Sequence, residues 1–227
     1  SDSPVVGNGK NKTKVIVSSF NIASPAAIGY AVPVTDQAPV TFDKYEDPKH
    51  TKERLAVTVK IVKELMTKST IVALQEAHID EYNTLMKPEL IGGVWEDTDN
   101  VGGTVILFNK NLYEPYPLNY REISNVVGFS EKLVKLTAVK AKSKGVFVFN
   151  VHMLSGQPNF RKNLLKYLID LASRNNSVML CVGDFNSTVN SKEYSVIKKI
   201  NGVKMYGKGT SSYSRFAYTK SDSDIVS

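Results

Sequence analysis

Three residue types are scarce in this chain of 227 residues: it has one cysteine, one tryptophan and three histidines. A lone Cys181 cannot close an internal disulfide, which excludes a disulfide-stapled scaffold and favours a reducing compartment, cytoplasmic or nuclear. No stretch approaches the roughly 18 consecutive apolar residues of a membrane span, so no segment is expected to cross a bilayer and the chain reads as soluble. Glycine (14) and proline (9) are neither enriched nor periodic. With no internal repeat either, collagen-like and repeat architectures are excluded. The chain begins at Ser1, without Met and without an apolar signal-peptide core. Acidic residues are the minority charge: 22 Asp and Glu against 29 Lys and Arg leave a net charge of +7. That balance attracts a polyanion such as nucleic acid or an anionic membrane surface.

What is present is an ordinary globular composition, 42% hydrophobic and 22% charged, long enough to bury a sizeable core. Short apolar, β-branched runs alternate with helical patterns. Strands are expected over Lys14–Asn21, Thr70–Gln75, Gly103–Phe108, Leu133–Lys140, Val146–His152 and Val178–Gly183. Leu55, Val59, Val62 and Met66 mark one helical stripe over Thr51–Met66, and Leu164, Leu165, Leu168 and Leu171 mark another over Arg161–Ser173. Ser191 is a candidate cap for a shorter helix to Ile200. Ala23–Pro48 carries four prolines and no consistent period, so a long loop is expected there. The simplest architecture is one α/β domain over residues 1–227, with helices outside two packed sheets or one large mixed sheet.

Several strands end in a polar residue that the strand itself does not require. The first ends in Asn21, the second in Gln75-Glu76, the fifth in Asn150 and His152, and the sixth in Gly183-Asp184-Phe185-Asn186. Active sites of sheet proteins gather where strands run into loops, so these ends suggest one site. Carboxylates supply hard oxygen ligands for Mg2+, and Asn and His can donate to phosphoryl oxygens or orient a water. Taken singly, Glu76 reads as a turn residue, His152 as a core histidine, and Asp184 and Asn186 as turn formers. Their joint occurrence favours chemistry.

Ser-Phe-Asn-Ile (19–22), Leu-Gln-Glu (74–76), Asn-Val-His-Met (150–153) and Gly-Asp-Phe-Asn-Ser (183–187) resemble the successive motifs of the endonuclease/exonuclease/phosphatase superfamily. The resemblance covers nearly the whole chain. It implies a DNase I-like four-layer α/β sandwich, two mixed β-sheets flanked by helices, and Mg2+- or Mn2+-dependent cleavage of phosphoester bonds. Gln75 to Tyr82, Pro88-Glu89-Leu90, Pro158 with Arg161, and Gly183 to Tyr194 are similar to the nocturnin- and Angel-type deadenylases. The resemblance further implies Glu76 as principal metal ligand with Asn21 beside it. Asp184 would orient or deprotonate the attacking water, Asn186 would hold that water or a phosphoryl oxygen, and His152 would stabilise the transition state. Asn150, Arg161 and Tyr30 are the candidate substrate-binding residues. Tyr30, Phe42 and Tyr45 could stack on bases from the long loop.

The family pattern continues with an Asp-bearing strand and a Ser-Asp-His motif. Lys220–Ser227 resembles the former, with Asp224 as the late aspartate and Asp222 as the fallback; the motif histidine is absent, and neither His50 nor His78 matches it. Either a final strand lies beyond this sequence, the preferred expectation, or the domain has lost that histidine and become a weak or inactive binder. The function expected is a 3' exoribonuclease of the deadenylase kind, with RNA rather than DNA as partner. The alternatives are abasic-DNA endonuclease, 2'-5' or tyrosyl-DNA phosphodiesterase, phospholipid or inositol phosphate hydrolase, and a binding domain of the same fold.

Overall fold

The computed structural model describes residues 5–6, 13–22, 48–77, 83–85, 91–96, 102–143, 145–187 and 191–200. Two short strands, β1 (Val5–Val6) and β2 (Thr13–Lys14), form an antiparallel pair. The first main sheet contains β3 (Val17–Asn21), β4 (Ile71–Ala77), β5 (Ile91–Glu96) and β6 (Gly103–Asn109), in the order β3-β4-β6-β5. The second contains β7 (Tyr113–Pro115), β8 (Lys135–Ala141), β9 (Val146–His152) and β10 (Val178–Asp184), in the order β10-β9-β8-β7. Each sheet is mixed and built alike: a parallel pair, β3 with β4 or β9 with β10, followed by two antiparallel pairings.

A parallel pair needs a crossover, and in each sheet a helix supplies it. α1 (Pro48–Lys68) joins β3 to β4, and α3 (Pro158–Arg174) joins β9 to β10. Both begin with proline, whose missing N–H costs nothing at a first helical position. Between them, α2 (Tyr120–Val127) is closed at one end by Asn119, which accepts the Glu122 N–H, and at the other by left-handed Gly128. α4 (Lys192–Lys198) follows β10.

Alternation along the strands sorts side chains into layers. On β4, Ile71 faces the other sheet while Val72 and Leu74 pack outward with Val62 of α1. On β9, Val146 and Val148 face inward, and Phe147, Phe149 and Val151 pack against Phe160, Leu164 and Leu168 of α3 and Ile123 of α2. The order is therefore helix, sheet, sheet, helices, the four-layer sandwich that the motifs imply. Each fully buried Phe or Leu in these layers contributes roughly 1.5–3 kcal/mol.

All six expected strands form, with shifted ends. Leu133 lies in a 3-10 turn (Glu131–Leu133), and the strand expected from it starts at Lys135. β5, β7 and α2 lie outside the periodic runs read from the sequence.

Candidate active site

The parallel pairing decides where the site lies. Asn21, Glu76, His152 and Asp184 stand at or next to the carboxyl ends of β3, β4, β9 and β10, and strand register places Asn21 beside Gln75 and Asp184 beside His152. β4 also packs on β9, and β10 on both β3 and β4, so the two pairs of strand ends face each other across the sandwich. Four residues separated by up to 163 positions thereby converge.

Asn21 joins the halves. Its Nδ2 donates to Glu76 Oε1 at 3.0 Å and to Asp184 Oδ2 at 3.0 Å. His152 Nε2 lies 3.7 Å from the same Glu76 oxygen. Glu76, His152 and Asp184 each bring one ligand atom to within 4.8 Å of the other two. Asp184 is buried at 7% exposure, and the Glu76 and His152 side chains are each 15% exposed. Asp184 Oδ1 accepts the Asn186 backbone N–H at 2.9 Å, an Asx turn that fixes the carboxylate after β10. Asn186, at φ 44°, donates through Nδ2 to the Met153 carbonyl at 2.7 Å and so ties this turn to the loop after His152.

These residues fit a divalent cation. Two carboxylates and a histidine lie close together and largely buried, and among the described residues neither carboxylate is paired with a lysine or arginine. Such a pair repels itself unless a positive charge joins it. Glu76 would hold the ion, with Asp184 and His152 beside it in the same cluster. Asn21 presents nitrogen to both carboxylates, so in this arrangement it spaces them, and direct ligation through its oxygen requires the amide to turn.

The remaining expected residues fall elsewhere. Asn150 is 0% exposed and makes its hydrogen bonds inside the protein, to Gln75, Leu74 and Val105, which places it between the sheets and away from solvent. Arg161, buried at the start of α3, donates to the Leu154 carbonyl at 2.7 Å and anchors the loop that follows β9. Tyr30, Asp222 and Asp224 lie outside the described residues, as does the long loop.

One residue at the site escaped the sequence reading. Lys135 opens β8 directly opposite His152, and its Nζ donates to the Gly102 carbonyl at 3.2 Å. Gly102 itself, at φ 108°, abuts the Glu76 backbone so closely that a Cβ would meet its carbonyl carbon at 2.9 Å. The signal for Lys135 was countable: antiparallel pairing that sets Lys140 against Phe147 also sets Lys135 against His152.

A family model for endonucleases, exonucleases and phosphatases matches residues 18–223, a span that holds every residue of this cluster. The chain belongs to the endonuclease/exonuclease/phosphatase family. That is a family of phosphoester hydrolases. Among solved structures, this family member is similar to ANGEL2, a 2',3'-cyclic phosphatase, in complex with adenosine-2',3'-vanadate: 20% identity, 81% of this chain, 57% of that one, TM-score 0.56. It is similar also to the human nocturnin catalytic domain with bound sulfate, at 14% identity, 82% and 70% coverage and TM-score 0.54. A third is D. rerio TDP2 complexed with a single-strand DNA product, at 14% identity, 81% and 64% coverage and TM-score 0.52. The chain thus spans little more than half the length of ANGEL2. Curated protein sequences contain no match to it.

Proposed function

We propose that this family member is a divalent-metal-dependent phosphodiesterase acting on nucleic acid, and that its substrate is RNA, trimmed from the 3' end in the manner of a deadenylase. The observation that carries the chemistry is the convergence of Glu76, His152 and Asp184 within 4.8 Å at the carboxyl ends of both sheets. When bound there, Mg2+ or Mn2+ supplies charge neutralisation for the phosphate. The protein's own groups divide the rest. Asp184, oriented by Asn21 and Asn186, accepts the proton of the attacking water. His152 donates to a phosphoryl oxygen as charge accumulates in the transition state. Asn21 keeps the two carboxylates apart by sharing one amide group between them. The net charge of +7 favours a long phosphate backbone over a small neutral substrate.

RNA ranks first because the motif context of Gln75 and Gly183 is deadenylase-like and human nocturnin shares the fold. The likeness to ANGEL2 supports a second substrate of the same polymer, an RNA end carrying a 2',3'-cyclic phosphate. One assay separates the readings. Labelled poly(A) RNA, random RNA, RNA with a cyclic phosphate end, abasic duplex DNA and a phosphoinositide are each incubated with the protein and Mg2+ or Mn2+, with and without EDTA. Stepwise shortening of poly(A) that EDTA abolishes is expected; hydrolysis indifferent to EDTA removes the metal-dependent reading, and hydrolysis of no substrate at all removes the hydrolase reading in favour of a binding domain.

A further inference from the structure

Glu76 stands on irregular backbone. The ladder between β4 and β6 runs in register from Ile71 opposite Phe108 to Leu74 opposite Val105 and then slips, so that Ala77 faces Gly103. Three steps along β4 match two along β6, which is a bulge of one residue. Glu76 lies within it at φ 55°, a left-handed conformation that a non-glycine residue adopts only when its surroundings enforce it. The bulge turns the glutamate toward Asn21 and His152.

The restraint comes from the other sheet. Asn150 sits in β9 with its side chain wholly buried, and its Nδ2 donates to the Leu74 carbonyl at 2.8 Å and to the Val105 carbonyl at 2.9 Å. Those two residues are the last opposed pair before the slip. Its Oδ1 accepts from Gln75 Nε2 at 2.6 Å, which sets the amide so that its nitrogen faces the carbonyls. Gln75, also wholly buried, donates further to Ser19 Oγ at 3.2 Å on β3. One amide thus grips both strands of the bulge and the residue that precedes Glu76.

We infer that Asn150 is a positioning residue, which clamps the Leu74–Ala77 bulge from the opposite sheet and thereby fixes the direction of the Glu76 carboxylate toward the cation site. Its bearing on catalysis rests on the hydrolase reading; the clamp itself does not. Asn150→Leu keeps the volume and removes the amide. On the intact chain, Mn2+ binding is followed by calorimetric titration, and hydrogen exchange is followed by peptide. The Mn2+ dissociation constant is expected to rise at least tenfold and exchange across residues 71–77 to accelerate at least tenfold, while exchange in α3 stays unchanged. A residue that merely packs would lower the unfolding midpoint and leave both local readings of the folded protein where they were, and that result overturns the inference. If Asn150→Leu does not fold, Gln75→Met, which leaves the Asn150 amide in place but unoriented, decides by the same two readings. A wild type that loses local protection on substitution yet hydrolyses no ester removes the hydrolase reading alone; an active enzyme whose variants keep wild-type exchange and Mn2+ affinity removes this inference alone.

Discussion

Two carboxylates joined by one amide make a site that is costly without its cation. In metal-free protein Glu76 and Asp184 repel each other across Asn21, and burial denies them the water that would screen the repulsion. Glu76→Gln and Asp184→Asn are therefore expected to lower turnover by about 100-fold or more, while stability measured in EDTA is unchanged or raised. Added Mn2+ should raise the melting temperature of the wild type and leave that of either variant nearly still. Equal stabilisation of all three by Mn2+ would remove these carboxylates from the ion's site. Gly183 makes a purely steric prediction. It holds φ 133°, and a Cβ there would run into the Val151 carbonyl oxygen of the neighbouring strand. Gly183→Ala should cost about 2 kcal/mol or more in urea unfolding, with the loss of alignment between Asp184 and His152 showing as a larger fall in activity. At this scale most of the cluster was legible, because Asn21, Glu76, His152, Asp184 and Asn186 are polar residues that apolar strands had no use for. Asn150 carried the same signal for a different reason. Strand alternation puts it, like Val146 and Val148, on the inner face of β9, and only the register slip in β4, which no local pattern announces, gives an inward amide something to hold.

The central strands were legible, and so were the edges β3 and β10 that pair in parallel with them; the antiparallel edges β5 and β7 were not. β4, β6, β8 and β9 are flanked on both sides and largely covered on both faces, so their sequences are rich in apolar residues, with β8 interrupted by Lys135, Thr137 and Lys140. β5 is an edge strand whose Ile-Gly-Gly-Val-Trp-Glu looks like a turn. Gly92 is there because the Phe108 ring, on the paired strand β6, lies where its Cβ would be, a fact of cross-strand packing that no local pattern shows. β7 is an edge of three residues ending in proline, tolerated because an edge position need not donate. α2 has only eight residues, too few turns to show a stripe, although Ile123 and Val127 one turn apart are its buried face. Its ends carry information that its middle does not: Asn119 Oδ1 accepts the Glu122 N–H at 3.1 Å. Asn119→Ala is expected to destabilise the domain by about 1 kcal/mol, and Asn119→Ser or Asn119→Asp to restore most of it. A measured loss that Asp and Ser fail to recover would show that Asn119 acts through packing rather than as a cap.

The whole molecule responds to alkali through protons that folding holds in place. Burial pushes the Cys181 thiol from 9.0 up to about 12. Burial likewise raises the phenols of Tyr113, Tyr120 and Tyr167, with nearby carboxylates, Glu96 for Tyr120 and Glu122 for Tyr167, adding to the shift. These groups line the second sheet and its helices: Cys181, Tyr120 and Tyr167 pack on one core cluster, and Tyr113 is buried in the cluster between the sheets. The sign follows from which state binds the proton. Below about pH 8 the thiol and phenols are protonated in both states, and pH leaves their contribution untouched. Above 9 the unfolded chain releases the Cys181 proton while the folded chain keeps it, so stability falls as pH rises; from 10 the tyrosines add to the slope in the same direction. One thiol can contribute at most about 1.4 kcal/mol per pH unit. The urea midpoint is therefore expected to hold level between pH 7 and 8 and to decline from pH 9. Cys181→Ala should flatten the decline between pH 9 and 10 while leaving the steeper loss above 10, because the tyrosines remain. In the same window iodoacetamide should label Cys181 far more slowly in native protein than in urea. A midpoint independent of pH up to 10, or native labelling as fast as unfolded, would mean that the edge strand β10 opens to solvent and that its thiol is not held in the core.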